Sequence, residues 1–390
     1  MAEPGVVVTR RGADRISGGH LWIYRSDVRS AQAAPGDVVR VADEKGRPVG
    51  RALWSDRSQI ALRFLTRRDE PVDRAFFAAR IRAAAEYRRV VVEDTDCCRL
   101  VFGEADLLPS LIVDRYGDYL VMQTLSQGMD QRKVELAEIL QEQFSPRGIL
   151  ERNDPKSRQL EGLPQIVAVA RGDVPDEVAV HMNAIEFRVN LRHGQKTGAF
   201  LDQRENYRAA ERYLRGEVLD CFCYQGGFAL HAARHAQSVE AVDSSGEALA
   251  VARSNAERNG AAKVSFREAN VFDLLKEYDQ AGRKFDAVIL DPPAFAKSRE
   301  SVEAARRGYK EINLRALRIL RPGGMLITCS CSYHLPESLF GELLWEASVD
   351  VDSALRVIER RGAARDHPGL LTVPETMYIK CFILSVFRRL

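Results

Sequence analysis

The sequence of 390 residues contains no apolar run near the ~20 residues that a membrane-spanning helix needs, and it has no low-complexity tract. Its first residues have neither the basic start nor the apolar stretch of a secretory signal peptide. These absences argue against a membrane protein and a disordered repeat protein, and they predict a cytoplasmic chain without a membrane partner. A chain of this length is expected to form two or three domains.

The seven cysteines of the chain do not form a recognisable framework. The count is odd, and disulfides are rare in large cytosolic proteins. Two Cys-x-Cys pairs, at 221/223 and 329/331, follow predicted strands, but no pair of Cys-x-x-Cys clusters suggests zinc. We therefore expect neither disulfide bonds nor a metal site.

Charge is unevenly distributed along the chain. Residues 1–68 carry 13 Lys and Arg against 7 Asp and Glu, whereas the whole chain has a formal net charge of only +2. Short strand-like runs separated by Gly and Pro predict a small β-barrel over residues 1–71. A basic module of this kind fits a polyanionic partner such as RNA, although a merely well-solvated surface would have the same charge.

The rest of the chain divides into two patterns. Residues 72–182 mix helical and strand-like segments, beginning with a helix from about 74 to 92, and predict a small central α+β domain. Residues 183–390 alternate strands and helices, with five strands predicted. The fold class is therefore α/β, with a Rossmann-like, doubly wound parallel sheet after two smaller domains.

A turn containing glycine follows the first predicted strand of this sheet. Strand 218–222 leads into Cys223-Tyr224-Gln225-Gly226-Gly227, and the next strand ends at Asp243. Glycines let a ligand approach the backbone, and an acid at the second strand end can bind a ribose diol. A dinucleotide site would need G-x-G-x-x-G, which is absent. The turn favours S-adenosylmethionine (SAM), for which Asp220 supplies a further acid.

Two other segments are expected near the cofactor. Asn270-Val271 follows the third strand and could contact adenine, although Asn270 is equally typical of a helix N-cap. The run from Gln195 to Arg204 places charged residues around Phe200. It could close over the adenine, or it could simply be a loop that leads into a helix.

Polar residues also follow the fourth and fifth predicted strands, in Asp291-Pro292-Pro293-Ala294-Phe295 and in Ile327–Ser332. Because the carboxyl ends of parallel strands meet at one edge of a sheet, an acid, an aromatic ring and two thiols should lie together there. A thiolate can attack a flat heterocycle, and an aromatic ring can stack on one. This edge therefore predicts covalent chemistry on a base.

These motifs, together with Lys196–Arg204, Ser330-Cys331-Ser332, Gly19–Tyr24 and Asp366-His367-Pro368, resemble the RlmI-type class I methyltransferases, bacterial enzymes similar to the one that makes 5-methylcytosine in 23S ribosomal RNA. The resemblance covers essentially the whole chain. Gln225 stands where Thr is commoner in the family, and Asn270 where Asp is commoner. In many RNA 5-methylcytosine enzymes a second cysteine that helps release the product occupies the position that Pro293 holds here.

The resemblance implies an N-terminal PUA domain that binds RNA, a SAM cofactor, a homodimer, and 23S rRNA or a large-subunit assembly intermediate as the partner. It implies Cys331 as the nucleophile and Asp291 as the group that holds the base. The substrate-binding residues are expected to be Pro292, Pro293, Phe295 and Lys297. The expected cofactor-binding residues are Phe200, Asp202, Arg204, Asp220, Cys221, Cys223, Gly226, Gly227, Asp243, Ser244, Asn270 and Val271.

Several alternatives stay open on the sequence. Cys329 is the rival nucleophile, and His334 could move a proton. An acid followed by Pro-Pro-aromatic also suits an RNA base N-methyltransferase that acts on an exocyclic amine and needs no cysteine. A non-catalytic RNA-binding ribosome assembly factor and a small-molecule methyltransferase are further alternatives, but each leaves part of the sequence without a role.

Overall fold

The computed structural model describes residues 4–296 and 301–388, which form two compact units made of discontinuous segments. The first unit contains the chain up to Val180 together with Val189–Leu201 and Arg365–Thr376. The second contains His181–Arg188, Asp202–Ala364 and the chain from Met377 onward. None of the helices in the described ranges is long and apolar enough to cross a membrane.

The first unit begins with a six-stranded sheet in the order β2-β6-β5-β4-β1-β3. Thr9 caps helix α1 by accepting a hydrogen bond from the Gly12 amide. Alternate residues of the strands, such as Val39 and Val41, are buried in one hydrophobic cluster with Ile23 and Phe64. The elements are β1 Gly5–Val8, α1 Arg10–Ser17, β2 Trp22–Tyr24, β3 Val28–Gln32, β4 Val38–Asp43, β5 Pro48–Trp54 and β6 Ile60–Thr66.

A five-stranded sheet in the order β11-β10-β9-β8-β7 follows in the same unit. Helix α2 buries Phe77, Ile81 and Ala84, which recur at helical spacing, in a cluster with residues of this sheet. The segment Arg365–Thr376 is held here because Asp366 Oδ2 accepts from the Arg99 amide at 2.8 Å. The elements are α2 Arg74–Val91, β7 Cys97–Phe102, β8 Leu111–Tyr116, β9 Tyr119–Thr124, α3 Gln127–Gln131, α4 Lys133–Phe144, β10 Gly148–Asn153 and β11 Ile166–Gly172.

The strand-like stretch predicted from Val178 to Val189 is a two-stranded ladder, β12 Glu177–Met182 and β13 Ile185–Asn190. Asn183 and Ala184 make the turn, with φ of 55° and 58°. A two-residue turn with both φ values positive matches the twist of a hairpin, but alanine gives no signal for it in sequence.

The second unit is built on a seven-stranded sheet in the order β16-β15-β14-β17-β18-β20-β19. The first five strands are parallel, as predicted, whereas β20 and β19 extend the sheet in antiparallel register. The sheet and its helices contribute buried apolar side chains to two hydrophobic clusters. The elements are α5 Arg204–Glu211, β14 Glu217–Cys221, α6 Gly227–Ala233, β15 Ser238–Asp243, α7 Gly246–Arg258, β16 Val264–Glu268, α8 Val271–Gln280, β17 Phe285–Leu290, α9 Val302–Ile319, β18 Leu320–Ser330, α10 Glu337–Asp350, β19 Ser353–Arg361 and β20 Lys380–Arg388.

Candidate active site

The register of the sheet brings the predicted strand-end residues to one edge. Cys221 lies opposite Val242 on one side and Leu290 on the other, and Leu290 lies opposite Thr328. The segments that follow these four strands therefore leave the sheet side by side. The glycine turn, the Asp291 motif and the Cys331 motif lie in these segments, and Asp243 is the last residue of β15.

The glycine turn is shaped by positive φ angles and by Asp243. Phe222, Tyr224 and Gly226 have φ of 63°, 48° and 88°, so the chain leaves the strand direction immediately after Cys221. The Tyr224 amide donates to Asp243 Oδ2 at 2.9 Å, and the Ser245 amide donates to Oδ1 at 2.9 Å. These two bonds hold the turn in place, and the contact of Asp243 with a ribose stays a prediction.

A buried histidine links helix α6 to the turn between β12 and β13. His231 Nδ1 lies 2.7 Å from the Gly227 carbonyl oxygen, and Nε2 lies 3.0 Å from Asn183 Nδ2. Burial lowers the pKa of His231 to about 3, so the ring is neutral at ordinary pH. A neutral ring that donates through Nδ1 and accepts at Nε2 satisfies both contacts.

Asp220 is 1% exposed, and neither carboxylate oxygen forms a hydrogen bond of normal geometry with the described residues. Burial raises the pKa of this carboxyl well above its usual range, and the charge of Asp291 raises it further. The amide of Ala229, in the first turn of α6, opposes these effects. Ionising a buried acid costs free energy unless a polar or cationic group binds to it, so Asp220 is suited to a ligand of that kind.

Asp291 is oriented by Gln203, which lies in the Lys196–Arg204 motif but was not among the predicted site residues. Gln203 donates from Nε2 to Asp291 Oδ1 at 2.9 Å, while its Oε1 accepts from Asn206 Nδ2 at 2.6 Å. Asn206 in turn accepts from Arg361 Nε at 3.0 Å. This chain of bonds fixes which end of the Gln203 amide faces Asp291, and so fixes the carboxylate.

The two predicted substrate loops are bonded to each other. Cys331 is half-buried, and its thiol donates to the Pro292 carbonyl oxygen at 3.9 Å. Ser332 is fully buried, and its Oγ accepts from the Ala296 amide at 3.1 Å and lies 3.0 Å from the Tyr309 hydroxyl. Two hydrogen bonds therefore join the loop that carries Cys331 to the loop that carries Asp291.

The other cysteines of this unit lie inside the protein. Cys329 is fully buried in β18 opposite Cys381 of β20, and burial raises its pKa well above the usual range. Burial also raises the pKa values of Cys221 and Cys223. None of the described residues forms a cluster of His, Cys, Asp and Glu that could hold a metal ion.

Five further residues that were predicted to bind the cofactor differ in their burial and in their hydrogen bonds. Asn270 is the N-cap of α8, accepting from the Phe272 amide at 2.9 Å, and Val271 is buried behind it. Ser244 is exposed beside Asp243. Asp202 Oδ2 accepts from the Tyr378 hydroxyl at 2.6 Å, and the buried Arg204 lies 3.8 Å from Glu205.

Phe200 belongs to the first unit, where the Lys196 ammonium lies 4.6 Å from its ring centroid. Among the predicted substrate residues, Pro292 is buried, Pro293 is exposed, and the Phe295 ring lies 4.6 Å from that of Tyr309. Lys297 lies outside the described residues. His334 packs edge-on against Tyr333.

The parallel sheet, the glycine turn and the acids at successive strand ends define a class I, Rossmann-like methyltransferase. Comparison with known proteins agrees with this assignment. Residues 6–67 match the family model of the PUA-like domain, and residues 169–375 match that of the S-adenosylmethionine-dependent methyltransferases. The first match shows that the N-terminal six-stranded sheet belongs to a PUA-like domain.

Curated relatives match almost the whole chain. The "Ribosomal RNA large subunit methyltransferase I" of Shewanella amazonensis is 41% identical over 94% of this chain and 96% of the relative. That of Erwinia tasmaniensis is 39% identical over 94% and 95%. The chain therefore belongs to the S-adenosylmethionine-dependent methyltransferase family that includes these proteins, and its cofactor is SAM.

Solved structures show the same fold at low sequence identity. A protein provisionally described as a methyltransferase and complexed with SAH has a TM-score of 0.85 at 20% identity, with 98% of this chain and 99% of that chain covered. A provisionally assigned SAM-dependent methyltransferase from Streptococcus mutans has a TM-score of 0.84 at 19% identity, with the same coverage. At these identities the likeness establishes the fold alone.

Proposed function

We propose that this chain methylates C5 of a cytosine in 23S rRNA, with Cys331 as the nucleophile and Asp291 as the group that binds the base edge. The observation that carries the proposal is the bonded pair of loops at the sheet edge. Cys331 is half-buried there, whereas Cys329, two residues earlier, is fully buried inside the sheet. A substrate base can reach the first thiol but not the second.

The residues at the glycine turn fit the cofactor. SAM carries an amino group, a carboxylate and a ribose diol, and when bound it supplies an electrophilic methyl group. Asp220 offers a buried carboxylate for a cation, and Asp243 offers a half-exposed one for the diol. Cys221, Cys223, Gly226 and Gly227, which lie between these acids in the chain, are further proposed contacts, together with Phe200, Asp202, Arg204, Ser244, Asn270 and Val271.

The proposed reaction uses the thiol because C5 of cytosine is a weak nucleophile. The Cys331 thiolate adds to C6, forming an S–C6 bond and moving the C5=C6 electron pair to C5. C5 would then take the methyl group from SAM, and the electron pair of the broken S–CH3 bond would stay on the sulfur of the cofactor. Loss of the C5 proton to a base restores the double bond and expels the thiolate. Asp291, fixed by Gln203, holds the N3 and N4 edge during these steps.

The proposed RNA substrate is supported by the basic PUA-like domain and by the names of the curated relatives. We propose that 1–71 binds RNA, that 72–182 forms a small central α+β domain, and that 183–390 holds the reaction. Pro292, Pro293, Phe295 and Lys297 are the proposed base contacts. A homodimer, a cytoplasmic location and a reaction without metal complete the proposal.

Nucleoside mass spectrometry of unmodified 23S rRNA, incubated with the protein and methyl-labelled SAM, tests the proposal. Labelled 5-methylcytidine with the wild type and none with Cys331→Ala is the expected result. Label on an exocyclic amine would contradict it and would assign the reaction to the Asp291 edge without a thiol. If naked RNA takes up no label, an assembly intermediate is the next substrate, and failure of both would overturn the proposal.

A further inference from the structure

The ammonium of Lys380 is buried beside the loop that carries Cys331. Lys380 opens β20 opposite Ser330, the last residue of β18, and is 5% exposed. Its Nζ donates to the Ser332 carbonyl oxygen at 2.6 Å and to the Tyr378 carbonyl oxygen at 2.9 Å. The described residues place no carboxylate within 4 Å of this ammonium. A buried cation without an ion pair is costly, which suggests a use for its charge.

One contact of the Cys331 thiol favours its protonated form, which is a poor nucleophile. Its thiol donates to the Pro292 carbonyl oxygen, and a carbonyl acceptor stabilises the neutral thiol. Asp291 directly precedes that proline, and the Tyr309 hydroxyl lies 3.0 Å from Oγ of Ser332, the residue after Cys331. A thiolate in these surroundings needs a positive charge nearby.

We propose that Lys380 is a positioning residue for Cys331: its ammonium holds the Ser332 carbonyl and supplies the positive charge that favours the thiolate. The inference rests on the proposed function, because a thiolate at this position matters only if Cys331 attacks the substrate.

The state of Lys380 is consistent with this role. Burial lowers its pKa to about 8, and the charges of Cys331 and Glu337 oppose that effect. At pH 7 most molecules therefore still carry the ammonium. Its hydrogen bond to the residue next to Cys331 also limits the positions that the loop can take.

The test measures the rate of iodoacetamide alkylation of Cys331 from pH 6 to 10 in the whole protein, without RNA or cofactor, with the modified site located by mass spectrometry. Lys380→Gln keeps a donor for the Ser332 carbonyl but no charge, Lys380→Met keeps neither, and Lys380→Arg keeps both. We expect alkylation at pH 7 to fall about tenfold in the Gln and Met variants, which is one pKa unit, and to stay near wild type in the Arg variant. The half-exposed Cys98 of the first unit serves as the internal reference.

A Gln variant whose pH profile superimposes on that of the wild type would overturn the inference, with circular dichroism confirming the fold. Loss of reactivity in the Met variant alone would also overturn it, because hydrogen bonding rather than charge would then be responsible. The alkylation readout is independent of methylation. The pH profile of alkylation could change in the Lys380 variants although the wild type forms no 5-methylcytidine in the RNA assay. That combination would reject the proposed function but would still support the effect of Lys380 on the Cys331 thiol.

Discussion

Gln203 and Asp291 lie 88 positions apart in the chain and are joined by a 2.9 Å hydrogen bond from amide to carboxylate. Hydrogen bonds to a charged group contribute about 1.5–3 kcal/mol. We expect Gln203→Ala to lower kcat for RNA methylation roughly 10- to 100-fold, the rate equivalent of that energy, with unchanged SAM affinity by calorimetry. Gln141→Ala, which removes a glutamine bonded to the Pro146 carbonyl in the first unit, is the control and should leave kcat intact.

The two cysteines of the Cys329-Ser330-Cys331 segment should respond differently to substitution. Cys331→Ala is expected to abolish methyl transfer while SAM still binds, because the thiol is not part of the glycine turn. Cys329→Ala is expected to keep the activity and lose about 1 kcal/mol of stability, since it removes a buried sulfur from a packed sheet. Activity assays and denaturant melts of both variants check this, and methylation by Cys331→Ala would end the thiol mechanism.

SAM affinity should depend on pH through Asp220. The folded pKa of this carboxyl is raised above its unfolded value of 3.8, so the stability it contributes is present below that value and is lost as pH rises through the raised pKa. A bound cation favours the ionised form. We expect SAM affinity to fall as pH is lowered through the raised pKa, with proton release on binding measured by calorimetry in two buffers.

Asp220→Asn is the matched control for that pH dependence. Without cofactor at neutral pH, this variant should melt at a higher temperature than the wild type, because no buried charge has to form. Its thermal shift on adding SAM should be smaller and should not vary with pH. A pH-dependent affinity that persists in Asp220→Asn would show that another group is titrating.

Gly227 has no room for a side chain. A Cβ at this position would lie 2.4 Å from Cζ of Tyr207, whose ring packs against Phe228 and His231. We expect Gly227→Ala to cost about 1–3 kcal/mol and to weaken SAM binding. Gly341→Ala, in α10 with its nearest atom at 3.9 Å, should instead stabilise the protein by about 0.5–1 kcal/mol. Chemical denaturation of both variants separates crowding from helix propensity.

Lys380 should leave a signature in the pH dependence of stability. Its folded pKa of about 8 lies below the unfolded value of 10.5, so the cost of burying the charge is full below about pH 8 and disappears above 10.5. The stability of the wild type relative to Lys380→Met should therefore rise between these values, on top of a constant offset from the lost hydrogen bonds. A flat difference in urea melts would contradict the lowered pKa.

The parallel sheet and its polar edge followed from the sequence because strands that are buried on both faces read as apolar runs and their carboxyl ends converge. Asp220, Asp243 and Asp291 could be placed for that reason. For Asn270 the sequence left an N-cap and an adenine contact open. The structure establishes the cap, and the adenine contact stays a prediction.

The contacts that orient the site could not be predicted in the same way. Gln203 and Lys380 lie far in sequence from Asp291 and Cys331, and no local periodicity links them. The pairing of β18 with β20, which brings Lys380 to its position, depends on the antiparallel end of a sheet that was predicted to be wholly parallel and five-stranded. Tertiary contacts of this kind are set by the whole fold rather than by neighbouring residues.

The interleaved composition of the two units has a consequence for biosynthesis. The first unit includes Arg365–Thr376, which is synthesised more than 160 residues after its preceding segment, Val189–Leu201. On the ribosome, the N-terminal elements therefore cannot complete their native contacts until nearly all of the catalytic sheet has been translated. Nascent chains should stay sensitive to protease in the first unit until that late segment has emerged from the exit tunnel.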